Sequence, residues 1–361
     1  KVCLRRRHYK RGGREVRFIV CADYHCRNRP EGALYLYRRL VRTTTLKAIH
    51  EGCNFVFHVG DIIHEKHCVL VELLLMLYQE FEWARLQNVT WVLIPGNHDM
   101  PDKSKPTLTI LGLFKRVAQV YVNPRILRGN GWSVYLQPFR LPEAFKKNCA
   151  EYANAARADN NPFRVQLAHI GLAEGVMSES NSYRVPSPIR VVDLYPQHYT
   201  LTMCGDYHST QQLHDRLWYI GAPIAHMHGD VPNQGVWVID TATKAVEQVE
   251  LPGNWPEFVT KTLDKKEDLL INPDFHYKLR VSAEMKPFYQ LQYGNLPNVK
   301  IETVAGPVGQ GARRLEGIGK NDTQKIFKIW LEKKGYLDEQ YFELGDEYLS
   351  RAERVLFESR A

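Results

Sequence analysis

The sequence predicts an α/β fold: two sheets packed face to face as a β-sandwich, flanked by helices. Three observations predict it. The amino-terminal part alternates strand-like and helix-length segments. From about residue 118 the pattern changes to closely spaced strands. Short histidine and carboxylate signatures follow or interrupt the apolar runs, in positions that gather on a sheet rim.

The elements follow in order. A strand over Val16 to Ala22 leads to a helix over about Leu34 to His50, then a strand over Asn54 to Val59. A helix from about Cys68 to Leu86 precedes a strand over Val89 to Pro95. This is βαβαβ, which needs crossover helices and gives a largely parallel sheet. Beyond it, AQVYV, ILRGNGWSVYLQPF, RVQLAHIG, YTLTMCG, DRLWYIG and GVWVIDTATKAVEQVEL read as strands with short turns, one of them at Gly129-Asn130-Gly131. Pro252, Gly253, Pro256 and DKKED interrupt the pattern, so the first domain is expected over 1–251 and a small β-containing domain over 252–306. A glycine-containing linker over 307–320 and an amphipathic helical tail over 321–361 complete the chain.

The 361 residues exceed one average domain, and 44% hydrophobic with 24% charged residues is ordinary for a globular enzyme. No apolar stretch reaches about 18 residues, and KVCLRRRHYKRGG lacks a secretion-signal core, so a cytoplasmic protein without membrane contact is expected. Seven cysteines without a Cys-x-x-Cys pair suggest reduced thiols. The net charge of +8 is unevenly spread. The first 47 residues hold fourteen basic and three acidic side chains, a net +11, so the rest sums to −3. Because that basic stretch runs into the first metal-type motif, it reads as a phosphate-backbone footprint, with Arg5, Arg6, Arg7, Lys10, Arg11, Arg27 and Arg29 as candidate DNA contacts.

Five signatures carry the chemistry: Asp23-Tyr24-His25, Gly60-Asp61-Ile62-Ile63-His64, Gly96-Asn97-His98-Asp99, His169 in LAHIG, and Gly205-Asp206-Tyr207-His208. An extended backbone would turn Asp23 and His25 to one side, where they could share a cation, and Asp206 with His208 repeats the spacing. Asp61 can bridge two ions. Asn97 offers an amide oxygen and His169 an imidazole nitrogen. Mixed oxygen and nitrogen donors without thiolate favour manganese, with magnesium or iron as alternatives, over structural zinc. Such a two-ion centre activates water and offsets charge on phosphate oxygens. His98 is the natural general acid, with Asp99 available to orient it. His50, His58, His67 and His198 receive no role.

With these motifs the chain resembles the calcineurin-like metallophosphoesterases, whose pattern is DxH, GDxxx, GNHD, a later H, and GHxH. Within them it looks most like DNA-repair nucleases of the SbcD type, on GDIIH, IPGNHDM and Tyr219-Ile220-Gly221-Ala222-Pro223-Ile224. The resemblance implies a four-layer fold and two metals, one on Asp23, His25, Asp61 and His208, the other on Asp61, Asn97, His169 and residue 206. It further implies His98 as proton donor, His64 positioning phosphate, a capping domain that guides DNA, a homodimer, and a coiled-coil ATPase partner like SbcC. The departure is Asp206, where the family has histidine. Either Asp206 ligates, or His226 or His228 takes its place, or the site is disabled. The expected function is a metal-dependent DNA exonuclease or endonuclease. Alternatives are a phosphomonoesterase and a catalytically attenuated DNA-binding subunit. The apolar run Leu70 to Leu77 is either buried core or a surface pairing two protomers, and the tail is either folded back or docked on the ATPase.

Overall fold

A computed structural model describes residues 16–27, 33–176, 187–230, 235–253, 255–273 and 275–304. Most of the basic amino-terminal stretch, the linker and the helical tail lie outside the described residues.

Strand β1 (Arg17–Cys21), helix α1 (Ala33–His50), β2 (Phe55–Val59), α2 (Val71–Leu86) and β3 (Thr90–Ile94) form the expected βαβαβ unit. β4 (Gln119–Val120) extends its parallel run, while β11 (Gly235–Asp240) and β12 (Val246–Glu250) add antiparallel strands beyond β1. The second sheet contains β5 (Arg125–Gly129), β6 (Trp132–Gln137), β7 (Phe163–His169), β8 (Leu201–Gly205), β9 (Gln211–His214) and β10 (Leu217–Tyr219), in the order β5-β6-β7-β8-β10-β9.

Alternation along the strands builds the layers. Phe18, Val20, Phe57, Val59 and Val92 turn inward against Val134, Leu136, Val165 and Leu167 of the second sheet. Ile19, Cys21, Val56 and Trp91 turn outward, under Leu40 of α1 and Leu77 and Phe81 of α2. The second sheet's outer face is covered by Phe145 and Cys149 of α3 (Pro142–Arg157). The result is helix, sheet, sheet, helix.

The short-turn reading of the second half needs correcting. β6, β7, β8 and β10 run parallel, and α3 is the crossover between β6 and β7. Its buried stripe is Phe145, Cys149, Ala153 and Ala156, three of them small, so it lacks the strong apolar run that marks a helix in sequence. The hairpin between β5 and β6 does turn at Asn130-Gly131, with Gly131 at φ +80°.

A third, all-parallel sheet holds β13 (Phe258–Leu263), β14 (His276–Val281) and β15 (Val299–Thr303), with α4 (Lys286–Tyr293) crossing between the last two. Leu263, Tyr277, Leu279, Val281, Tyr289 and Tyr293 give it a core of its own. β13 lies in the stretch that Pro256 and DKKED make look irregular. No described helix is long and apolar enough to cross a membrane. Among the described cysteines all are free, and only Cys68 is exposed.

Candidate metal centre

The carboxyl ends of both parallel runs open on one rim. Asp23 follows β1, Asp61 follows β2, Asn97 follows β3, His169 ends β7, and Asp206 follows β8. Their backbones are not extended. Asp23, His25, Asp61 and Asp206 have φ of +57°, +43°, +57° and +112°, so left-handed turns at the strand ends, and not strand alternation, make the side chains converge. The loops are laced together: Asp23 N–H donates to the Gly60 carbonyl at 3.1 Å, His25 N–H to Asp61 O at 2.9 Å, and His64 N–H to Cys26 O at 3.1 Å. Gly60 and Gly96 are required by space as well. A Cβ at Gly60 would strike the His169 ring, and one at Gly96 would strike Asp61 Oδ1.

Asp61 lies at the centre. Its Oδ2 is 3.7 Å from His25 Nε2 and 3.4 Å from His169 Nε2, and its Oδ1 accepts from His98 N–H at 2.8 Å. His169 donates from Nδ1 to the Val59 carbonyl at 2.8 Å, which aims Nε2 at Asn97 Oδ1 (3.2 Å) and Asp206 Oδ1 (3.6 Å). His208 Nε2 is 3.2 Å from His25 Nε2, and Asp206 N–H donates to Asp23 Oδ2 at 3.1 Å. The seven expected ligands therefore gather in one place. His98 and His64 stack beside them with centroids 5.1 Å apart, and ring nitrogens of His25, His64 and His98 lie within 4.8 Å of one another.

Two expectations change. Asp99 does not orient the His98 ring. Its buried carboxylate accepts from Asp61 N–H (2.8 Å), Gly96 N–H (2.9 Å) and Ile63 N–H (3.0 Å), clamping two loops together. The ring is held instead by its Nδ1, 2.9 Å from the His64 carbonyl. Neither His226 nor His228 replaces Asp206. His226 is buried on the His25 and His208 side, with Nε2 2.7 Å from the Asp23 carbonyl, while His228 faces the third sheet.

Asp230, not singled out from the sequence, orients His208: its Oδ2 accepts from His208 Nδ1–H at 3.1 Å and also from His226 N–H at 2.8 Å. The only signal was an aspartate closing the HMHGD stretch soon after the last motif.

The electrostatics fit a cation site. Burial, reinforced by Asp61, pushes the Asp23 carboxyl up to about 7. Burial also pushes Asp61 up, but His169 more than offsets it and holds Asp61 below the ordinary range. Burial takes His25 well below the usual histidine range, with His226 and His208 adding to the effect. Burial and then Arg27 lower His64 to about 4, so it is a neutral ring at pH 7.

His25, Asp61, Asn97, Asp206, His208 and both stacked histidines line a cleft of about 500 Å³, with Arg27 and Lys103 among its walls, while Asp23 and His169 are buried beneath it. The Lys66 charge is felt at this site: burial and then Lys103 lower its ammonium's pKa, while Asp61 and Asp206 act against them. A larger, shallower hollow of about 690 Å³, lined by Thr43, Leu46, Lys47 and His50, gathers no comparable set of donors. Of the expected DNA contacts, Arg27 is on the cleft; Arg5, Arg6, Arg7, Lys10, Arg11 and Arg29 lie outside the described residues.

A family model described as calcineurin-like phosphoesterase matches residues 16–234, the whole span that carries these ligands. The chain belongs to that family. No curated protein matches it significantly. Among solved structures, a dimetal phosphatase from Danio rerio is similar at 10% identity with a TM-score of 0.41, over 62% of this chain and 91% of the other. Another has 10% identity and a TM-score of 0.42, over 66% of this chain and all of the other. Neither likeness bears on activity.

As a phosphoesterase of this family the chain is a hydrolase, and its donor set suits two divalent cations. Three carboxylates, an amide oxygen and three imidazoles converge without a thiolate, and two of the carboxylates are buried side by side. On the division that the resemblance implies, Asp23, His25, Asp61 and His208 would hold one cation, and Asp61, Asn97, His169 and Asp206 the other; Asp23, Asp61 and His169 offer ligand atoms within 4.8 Å of one another, between the two sets. Together the ions would supply Lewis acidity to phosphate oxygens and to water.

Proposed function

We propose that this chain is a DNA nuclease that hydrolyses phosphodiesters, with manganese as its working cation. The observation that carries the reading is the pair of cations, Arg27 and Lys103, on the wall of the cleft beside the ligand cluster, with the Lys66 charge felt there as well. A small phosphomonoester needs no such approach, whereas a polyanion gains from every cation along its path. The uneven charge supports the same reading, since the basic stretch runs into the first ligand.

The chain's own groups then divide the work. His98, fixed through its Nδ1, presents its other nitrogen to the leaving oxygen as general acid. His64 is neutral and stacked on His98, so it acts as a hydrogen-bond partner to phosphate and not as a charge. The backbone amides of residues 61, 63 and 96 are committed to Asp99, so the loops need not rearrange around substrate.

Partners follow from the same reading. Leu70, Val71 and Leu75 are exposed on and just before α2, a surface suited to a homodimer, and the amphipathic tail is suited to a coiled-coil ATPase like SbcC. The test is hydrolysis with manganese of linear duplex, hairpin and circular single-stranded DNA beside a small aryl phosphate. The reading expects DNA cleavage abolished by chelation. Turnover of the aryl phosphate without DNA cleavage would make the chain a phosphomonoesterase. DNA binding without any turnover would make it an attenuated binding subunit with Asp206 as the cause. Deleting residues 1–14 removes seven basic groups and should flatten the salt dependence of DNA binding.

A further inference from the structure

The third sheet has two unlike faces. On one, Val259, Leu263, Tyr277, Leu279 and Val281 pack with α4. Period-two alternation turns Phe258, Thr260, His276, Lys278 and Lys300 to the other. The register sets Phe258 beside His276, Thr260 beside Lys278, and Lys278 beside Lys300. The Phe258 and His276 rings are stacked, with centroids 4.6 Å apart at 22°, and both are half-buried.

This face meets the metal centre. His228 sets its ring edge-on to Phe258, 5.2 Å away at 90°, and its Nδ1 is 3.3 Å from Thr260 Oγ1. It lies two residues from both His226 and Asp230. On the other side, Arg27 lines the cleft and its charge reaches His276. A strip of aromatic rings, His228, Phe258 and His276, thus runs from the loop beside the cleft-lining Met227 onto the sheet, with Lys278, Arg280 and Lys300 beyond it. Glu302 offsets part of that charge through its 2.7 Å pair with Lys300. Burial lowers both His228 and His276, helped by Lys278 for the first and Arg27 for the second, which favours the neutral form of each ring.

We propose that this face binds single-stranded DNA, with a base stacked on the Phe258 and His276 pair and the phosphates led past Lys278, Lys300 and Arg27 into the cleft. The substrate identity rests on the nuclease reading above. The strand state rests on the rings. A duplex keeps its bases stacked on one another and offers a protein only its backbone and groove edges. A single strand offers base faces, and aromatic rings among cations on an open sheet are a surface such strands use.

The test uses the full chain with chelator, so that nothing is cleaved, and reads fluorescence anisotropy of labelled oligothymidylate against a duplex of equal length. Phe258→Ala should weaken single-strand binding by about 5- to 150-fold, the worth of one stacked base. Phe258→Tyr, which keeps the ring, should stay near wild type, and duplex binding should change little in either variant. Lys278→Glu combined with Lys300→Glu should reduce the salt slope by about 1.4, for two lost phosphate contacts; this pair, Lys300 exposed and Lys278 half-buried, carries the test if Phe258→Ala does not fold. Unchanged oligothymidylate binding in Phe258→Ala and in the double lysine variant, no binding by the wild type, or an equal loss on duplex would overturn the proposal. The two readings fail separately. A wild-type chain that holds oligothymidylate through Phe258 but hydrolyses no phosphodiester breaks the nuclease reading alone.

Discussion

The two halves of the metal centre are built to different standards. The half supplied by the first sheet is dry and clamped: Asp61 is 2% exposed, and Asp99 ties its loop to that of Asn97 by accepting from the Asp61 and Ile63 amides as well as from Gly96 N–H of its own loop. The half after β8 is looser, with the Asp206 side chain 22% and the His208 side chain 14% exposed. There a single outside carboxylate, Asp230, provides the orientation. An aspartate in place of histidine stands on the wetter side, where water can complete what its shorter side chain does not reach.

Substitutions on the two sides should therefore differ in severity. Asp61→Ala should abolish hydrolysis and lose both cations; elemental analysis finding two retained ions would refute its bridging position. Asp99→Ala should cost about 3 kcal/mol or more in thermal or denaturant unfolding, because three buried amides lose their acceptor. His98→Ala should keep the cations while turnover falls by about 10² to 10⁴. Retained turnover would show that some other group protonates the leaving oxygen.

On the wetter side, Asp230→Asn should weaken cation binding by about 10- to 100-fold, the usual worth of a carboxylate behind a ligating histidine. Calorimetric titration giving wild-type affinity would remove Asp230 from the site. Protonation adds a pH dependence of defined sign. The Asp23 carboxyl, pushed up to about 7 by burial and Asp61, binds a proton in competition with a cation. Apparent affinity should thus fall as pH drops below about 7, by up to about tenfold per unit for one displaced proton. An affinity constant over about pH 6 to 8 would mean that Asp23 is not a ligand. The smallest effect is expected for Asp206→His, which should preserve cation binding and raise turnover. No change in either would put residue 206 outside the ligand set.

Much of this was legible in the sequence, for a physical reason. Ligands after strands leave marks in the one-dimensional pattern, because an apolar run must stop where a polar loop begins, and Asp23, Asp61, Asn97 and Asp206 all stand at such stops. His169 was legible as a polar break inside one. The backbone shape was not legible: nothing in Asp-Tyr-His announces a positive φ at both Asp23 and His25. Partners fixed by folding were missed for the same reason. Asp99 looked like a companion to its neighbour His98, yet its oxygens are taken by amides from the loop after β2 and from Gly96, and Asp230 lies 22 residues beyond the histidine it orients. Helix α3 escaped because alanines form much of its buried stripe.

The lacing of the ligand loops also sets an order of events during folding. Asp206 N–H closes on the Asp23 carboxylate across 183 positions of chain, and His208 meets His25 across the same separation. Closing such a loop costs entropy that only completed packing of both sheets returns. The βαβαβ half can pair from local contacts first, but its ligands meet those of the other half only at the end. Occupancy of the complete ligand set should therefore report the last step of folding, and a chain stalled earlier should carry no competent hydrolytic centre.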